Sequence, residues 1–527
     1  LAKRVGLECF WEDHVGSGKA TRTLIIAGSA LALDIDFENN VVKKVALSFP
    51  ESPESVTRHT KAAGDILLRD LGFGPHESPL TKKLDRFAAN LERLATLDKL
   101  SVIPGLNCLE AIAGIYESIE RLHLWEVERL KESEEMNGKD QEYAVKTATY
   151  TKSGKPVMHS SDRLGMSLDY WQENRWLKGS SKQKSYALLI ECAPLPSLAY
   201  PPLRVSEHWI SAEIQKANDP TEELFMTSGN GPVLDWIQPD NTLLPPADQP
   251  KVDAMEGVDQ ATGQRFPEVM FVAKFDPPLI VPCSTAVHVY NSTGIPMDPF
   301  TTIYDELLIP RRPEDLKAEP RPNLCRETTI PIFSADGEKS TIIHRGNLFI
   351  EKSDYGRILT ELPFSHPQQL VEWLPALRQA AFLASLLQKS FGSASQSLKP
   401  DDKDKNKQSY KDDFENFMTK PLTTESRPVR VDIKLDTQPV PRLDVHFPFE
   451  KAHDRKAHVV FEIKLNAVVE IISQNFLDES MNGNGDVMDE GNRKVKGRKL
   501  TVADLARMLE VTEDLGIWIE FVKRRLG

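Results

Sequence analysis

Residues 31–37, Leu-Ala-Leu-Asp-Ile-Asp-Phe, set Leu31, Leu33, Ile35 and Phe37 against Ala32, Asp34 and Asp36. A period of two predicts a strand with one buried face. Glu38-Asn39-Asn40 marks a turn, and residues 41–49 return with Val45, Leu47 and Phe49 on one face. Residues 21–50 therefore read as a β-meander. The period then changes. Ser52 as N-cap, Pro53 at the first helical position and Gly72 as a stop predict a helix between them. A second Ser-Pro start at Ser78–Pro79 leads a stripe of Leu80, Leu84, Phe87, Leu91 and Leu94, which is one helix face. Asn107 caps a third helix with Leu109, Ile112, Tyr116, Ile119 and Leu122 on its stripe. Strands followed by helices make an α+β layout.

Residues 131–142 are acidic and polar and read as a linker. The middle, 143–320, is strand-rich and proline-rich, with strand candidates at 184–195 and 269–290. Its prolines at 194, 196, 201, 202, 277, 278 and 282 predict strands that are short or near a sheet edge. Residues 321–392 form a strand-to-helix unit. Its strand lies near 341–350, and its helix, 365–392, is expected to break or kink at Pro375. Residues 393–426 lack periodic apolar content and read as a disordered linker. A C-terminal unit, 427–527, carries strands at 430–436 and 458–465, a helix at 466–477, a loop to 499 and two terminal helices. Thr501 and Asp504 offer a capping box to the first of these. The expected units are thus 1–130, 143–320, 321–392, the linker 393–426, and 427–527. The expected fold class is α+β: short antiparallel sheets, each followed by amphipathic helices, around a strand-rich middle. The recurring strand-to-helix order suggests an internal structural repeat, though no shared residue pattern accompanies it.

Composition narrows the function. A chain of 527 residues with 40% apolar and 27% charged residues suits a globular protein of several units. No run reaches the ~18 apolar residues of a membrane span. The start at Leu1, without Met or a signal-peptide layout, reads as a fragment or the ordered part of a longer chain. A net charge of −13 argues against general nucleic-acid binding, which depends on Lys and Arg at phosphates. Five scattered cysteines (9, 108, 192, 283 and 325) form no CxxC pair and read as reduced thiols.

Candidate chemistry is sparse. Gly16-Ser17-Gly18-Lys19 imitates a phosphate loop, but Asp13 stands where its first glycine belongs and Ala20 where its hydroxyl belongs. Asn482, Asn484 and Asp486 imitate a calcium loop, yet Val487 and Arg493 occupy its glycine and glutamate positions. His446, His453 and His458, with Asp454, suggest zinc. Lys451, Arg455 and Lys456 oppose a cation there, and the stretch reads as a solvated inter-strand loop. No catalytic, cofactor-binding or metal residue is therefore assigned, and no cofactor is expected. Leu383, Leu386 and Leu387 spell LxxLL, a receptor-docking pattern that also fits a core stripe. Residues 493–499, Arg-Lys-Val-Lys-Gly-Arg-Lys, read as a nuclear-import signal, a nucleic-acid patch or a solvated loop. The terminal helices invite a DNA-binding reading. Against it, the second helix carries Ile517, Trp518, Phe521 and Val522, with cations only at its end.

The run 71–100 followed by 107–128, with the strands of 31–55 before it, resembles the fungal form of the Mediator complex subunit 1 family. The resemblance spans residues 1–130. It implies a non-enzymatic nuclear scaffold in the middle module of the Mediator coactivator complex. Such a subunit bridges transcription activators and RNA polymerase II by binding other middle-module subunits. No membrane and no direct sequence-specific nucleic acid are expected as partners. Family members in animals carry their LxxLL motifs in a flexible region outside the folded part, whereas the LxxLL here lies within a predicted packed helix. Trp518, Phe521 and Val522 are the residues expected to face a partner; the competing reading has them close this chain's own last unit. Two other functions remain as alternatives. One is an enzyme whose site assembles from scattered residues of the middle, marked by a deep polar pocket. The other is a DNA-binding regulator using the C-terminal helices.

Overall fold

The computed structural model describes residues 1–14, 21–74, 77–102, 105–133, 139–160, 162–177, 183–216, 232–245, 265–309, 323–333, 339–391, 428–450, 455–477 and 500–526. A short helix α1 (Ala2–Val5) precedes β1 (Glu8–His14), β2 (Thr21–Ala27), β3 (Ala32–Glu38) and β4 (Val41–Ser48). These four form one antiparallel sheet in sequence order. Leu33 and Ile35 are buried as the alternation predicts, and Asn39 and Asn40 take the positive φ of a tight hairpin turn. The meander thus begins one strand earlier than expected, and the phosphate-loop mimic falls between β1 and β2, outside the described residues.

The helices that cover this sheet are α2 (Glu54–Thr57), α3 (Thr60–Leu71), α4 (Asp85–Leu100) and α5 (Cys108–Glu132). The single helix expected over 52–72 is split, because the chain turns between Thr57 and Thr60. The second expected helix starts later than its Ser-Pro signal: Leu80 is almost wholly exposed, while Phe87, Leu91 and Leu94 are buried. Asn107 caps α5, its Oδ1 accepting from the N–H groups of Leu109 and Glu110. Of the expected linker, 131–142, residues 134–138 lie outside the described residues; α5 ends at its start, and α6 (Gln141–Thr151), capped by Asp140, begins at its end.

A six-stranded sheet follows. It takes β5 (Lys155–Met158), β6 (Met166–Gln172), β7 (Ser185–Pro194), β10 (Val269–Pro282), β11 (Thr302–Ile303) and β14 (Tyr355–Phe364) in the order β11-β14-β10-β7-β6-β5. Strands β8 (Ile210–Gln215) and β9 (Leu234–Trp236) form a separate ribbon. The proline rule misses β10, a 14-residue strand between β7 and β14. Pro277 and Pro278 sit at the register shift between Lys274 and Leu279, where a bulge removes the need for their N–H groups. Helices α7 (Cys283–Thr293) and α8 (Tyr304–Leu308) follow β10.

The third sheet holds β12 (Asn323–Phe333), β13 (Lys339–Ile350), β15 (Val429–Asp436), β16 (Arg442–Pro448), β17 (Lys456–Ile463) and β18 (Val469–Gln474). Its β13–β15 pair is parallel and joins residues on either side of the 393–426 segment; that segment lies outside the described residues. Helix α9 (Pro367–Phe391) lies between the two large sheets and runs through Pro375 without a break. One expectation fails in this unit and another holds in part. The stretch read as an inter-strand loop, 446–458, runs from the last residues of β16 to the first of β17. The helix expected over 466–477 is β18 after a single 3₁₀ turn, Leu465–Ala467; its apolar pairs Val468–Val469 and Ile471–Ile472 suit a strand. Helices α10 (Val502–Thr512) and α11 (Leu515–Leu526) end the chain, the first opened by the predicted Thr501–Asp504 capping box. The fold is α+β throughout.

Candidate interaction surfaces and the central cavity

Helix α11 turns its apolar stripe inward. Trp518 is fully buried and meets Phe461 edge-on, ring centroids 5.0 Å apart, with Phe447 and Phe476 around it. Its Nε1–H donates to the Leu505 carbonyl at 2.9 Å. Val522 is fully buried as well, and Phe521 is half-buried against the same core. Of the three residues expected at a partner surface, two lie in this chain's own interior.

The LxxLL stretch is also interior: Leu383, Leu386 and Leu387 are buried on α9. The helix is apolar on nearly all sides, the mark of a buried element. Its one fully buried charge is Arg378. The guanidinium donates to the carbonyls of Tyr170 (3.1 Å), Thr149 (3.0 Å) and Lys152 (2.6 Å) and to Asn466 Oδ1 (2.7 Å). Burial pulls its pKa down to about 9. Arg175 stacks over Trp171 at 3.8 Å and meets Glu513 at 2.7 Å, both side chains out of water. These charges pin α9, β6 and the α10–α11 junction together. Only Arg378 carries a sequence signal, a charged residue inside an apolar run; Arg175 and Glu513 stand beside polar residues.

A cavity of about 520 Å³ opens between α4, α5 and the second sheet. Its walls include Leu97, Ile112, Met166 and Met270 with His59 and His159. Burial drives the His159 pKa down to about 4, and its Nδ1 accepts from the Gly165 N–H at 3.1 Å. Arg93, Arg163, Glu191 and Lys274 at the cavity are paired with one another or with a neighbour. Glu191 lies 2.6 Å from Lys274 and 3.9 Å from Arg93, and Arg163 meets Asp276 at 2.5 Å. The walls are mostly apolar, and among the described residues no nucleophile–base pair converges there, so this is not the deep polar pocket that would favour an enzyme.

Apolar surface is left outside at the sheet edges. On edge strand β1, Phe10 and Trp11 are both half-exposed. Trp11 pairs across to Leu24, which pairs to buried Ile35, so it continues the core face of the first sheet beyond its helical cover. It packs on Phe37 at 5.5 Å, with Arg22 4.8 Å above the ring. On edge strand β18, Ile472 is half-exposed beside Val468 and Leu465. The calcium-loop mimic and the basic run 493–499 lie outside the described residues. Of the histidine group, His446 and His458 come together across β16 and β17, while His453 and Asp454 lie outside the described residues.

The family model described as Mediator of RNA polymerase II transcription subunit 1 matches residues 1–392. No curated protein matches the chain.

Proposed function

The chain belongs to the family of Mediator of RNA polymerase II transcription subunit 1, and from that premise we propose that it occupies the middle module and reaches activators and RNA polymerase II indirectly. Membership makes it a non-catalytic coactivator scaffold, nuclear, that binds other Mediator subunits. The module follows from the resemblance of residues 1–130. The observation that carries a subunit contact is Trp11, which extends an otherwise covered apolar face to the sheet edge. An aromatic ring of this kind is a common anchor of protein interfaces. Docking through α11 is proposed in the form that burial leaves to it, through Phe521 and the polar flank beside it.

Crosslinking and mass spectrometry of the native complex from nuclear extract tests the placement. Lys3, Lys43 and Lys44 are exposed on or beside the first sheet. They are expected to crosslink to middle-module subunits. Crosslinks only to subunits of other modules, or only within this chain, would remove the assignment.

A further inference from the structure

We propose that Asp444, His446 and His458 form a zinc site on the outer face of the third sheet. The three side chains come from neighbouring antiparallel strands. His446 stands directly opposite His458 in the β16–β17 register, and Asp444 lies two residues before His446 on the same face. Strict alternation fixes that face: Leu443, Val445 and Phe447 on β16, with Ala457, Val459 and Phe461 on β17, are buried on the other side. The strands thus hold the donors at defined spacing without help from a loop.

The donor atoms converge. Asp444 Oδ1 lies 3.0 Å from His446 Nε2 and 2.8 Å from His458 Nε2, and the three donor positions all fall within 4.8 Å of one another. The two rings stack with centroids 4.5 Å apart, which brings both Nε2 atoms to the same oxygen. Neither nitrogen approaches that oxygen in hydrogen-bond alignment. Oδ1 is shielded from water with no donor aimed at it. With both rings in the Nδ1–H tautomer, three electron-rich atoms face one another, the arrangement that a cation resolves.

The donor set narrows the cation. Two imidazole nitrogens and one carboxylate oxygen suit zinc and other imidazole-seeking divalent metals, whereas calcium and magnesium demand oxygen shells. Around a tetrahedral zinc ion, bonds of about 2.0–2.2 Å put donors roughly 3.3–3.5 Å apart. The contacts here need to open by about half an ångström and the rings to splay from their stack. All three side chains are a third to a half exposed, so rotation about their side-chain torsions is open to them. The fourth position faces solvent and takes water.

Neighbouring charges do not block the site. Lys434, opposite Asp444, is paired with Glu351, and Arg442 is paired with Glu462. Asp432, opposite His446, adds a carboxylate beside the rings; it is held by Asn347 and Arg430 and is not itself a ligand. Lys456 shares the face one row away from His458. The sequence alone set His446, His453 and His458 side by side and assigned no metal to them. Strand pairing brings Asp444 to His446 and His458, and His453 lies outside the described residues.

The test uses the full chain, stripped with a chelator and titrated with Zn²⁺, then with Co²⁺ as a visible probe. One equivalent is expected to bind, to raise Tm, and to give the absorption of a tetrahedral nitrogen–oxygen shell without thiolate bands. His446→Ala and His458→Ala should each weaken binding at least about tenfold. Asp444→Asn keeps the shape and should weaken it too, which covers the case where a histidine variant folds poorly. Metal-free melting of each variant is measured alongside. Equal binding by the wild type and all three variants, or no binding by the wild type at millimolar Zn²⁺, overturns the proposal.

Discussion

The guanidinium of Arg175 meets the carboxylate of Glu513 at 2.7 Å, with the two residues 338 positions apart and neither side chain reaching solvent. Lys389 stands 3.6 Å from the same carboxylate. Burial lowers the Arg175 pKa to about 10 and raises that of Glu513, so desolvation outweighs attraction on both partners. A buried pair of this kind contributes little net stability, yet losing one member is costly.

Glu513→Ala should therefore destabilise the fold by about 3–5 kcal/mol, because Arg175 is left charged and unpaired. The double variant Arg175→Met with Glu513→Leu should recover most of that loss. Denaturant unfolding of the two variants beside the wild type checks this; a double variant as weak as the single one contradicts it.

Acid should weaken the protein through His159. Its folded pKa, about 4, lies below the ordinary 6.5. The neutral ring is the native form, so its contribution is complete above pH 6.5 and is lost as pH falls from there through 4. The full loss is on the order of 3 kcal/mol. His159 also holds a positive φ of 60°, which asparagine tolerates, and its Nδ1 serves as an acceptor. His159→Asn should flatten the Tm profile between pH 6.5 and 4 while changing little at neutral pH. An unchanged acid slope would show that other groups set it.

Leu386→Ala should cost about 2–5 kcal/mol as a cavity mutation. A loss of Tm is the expected reading, because Leu386 is wholly buried. An LxxLL motif used for docking would instead give lost binding at unchanged Tm.

Trp11→Ala and Trp518→Ala should separate surface from core. The second removes a buried indole and its hydrogen bond, and should cost about 3–5 kcal/mol. The first removes a half-exposed ring and should leave stability within about 1 kcal/mol while reducing copurification with other Mediator subunits. Intact assembly in the Trp11 variant removes that edge from the interface.

Gly114→Ala inverts a propensity rule. Alanine in mid-helix is ordinarily worth about 1 kcal/mol over glycine. Here the added Cβ would fall 1.9 Å from the Ser206 carbonyl oxygen, so the variant should unfold at lower denaturant. A stabilised variant would mean that the 206–207 backbone yields.

Local rules carried much of this architecture. The alternation of 31–37, the Asn39–Asn40 turn, the Asn107 cap and the Thr501–Asp504 box all act within a few residues, and each appears as read. What failed depended on partners far along the chain. Pro277 and Pro278 sit in a central strand because a bulge accommodates them, and no local pattern announces a bulge. Residues 469–474 are a strand because β17 offers them an edge. Arg175, Glu513 and Arg378 were invisible as a set because each finds its partners across more than 80 residues. The Asp444–His446–His458 cluster was half legible: the histidines were noticed, but the register that selects Asp444 belongs to the sheet.

The parallel seam between β13 and β15 has a practical consequence for anyone expressing this protein. The family match stops at residue 392, and a clone trimmed to that point would look natural. It would strip β13 of its neighbour from Val429 onward and remove the roof over α9 supplied by the last strands and helices. The severed product would present a raw β-edge and a greasy helix to the cytosol of its host, a recipe for inclusion bodies.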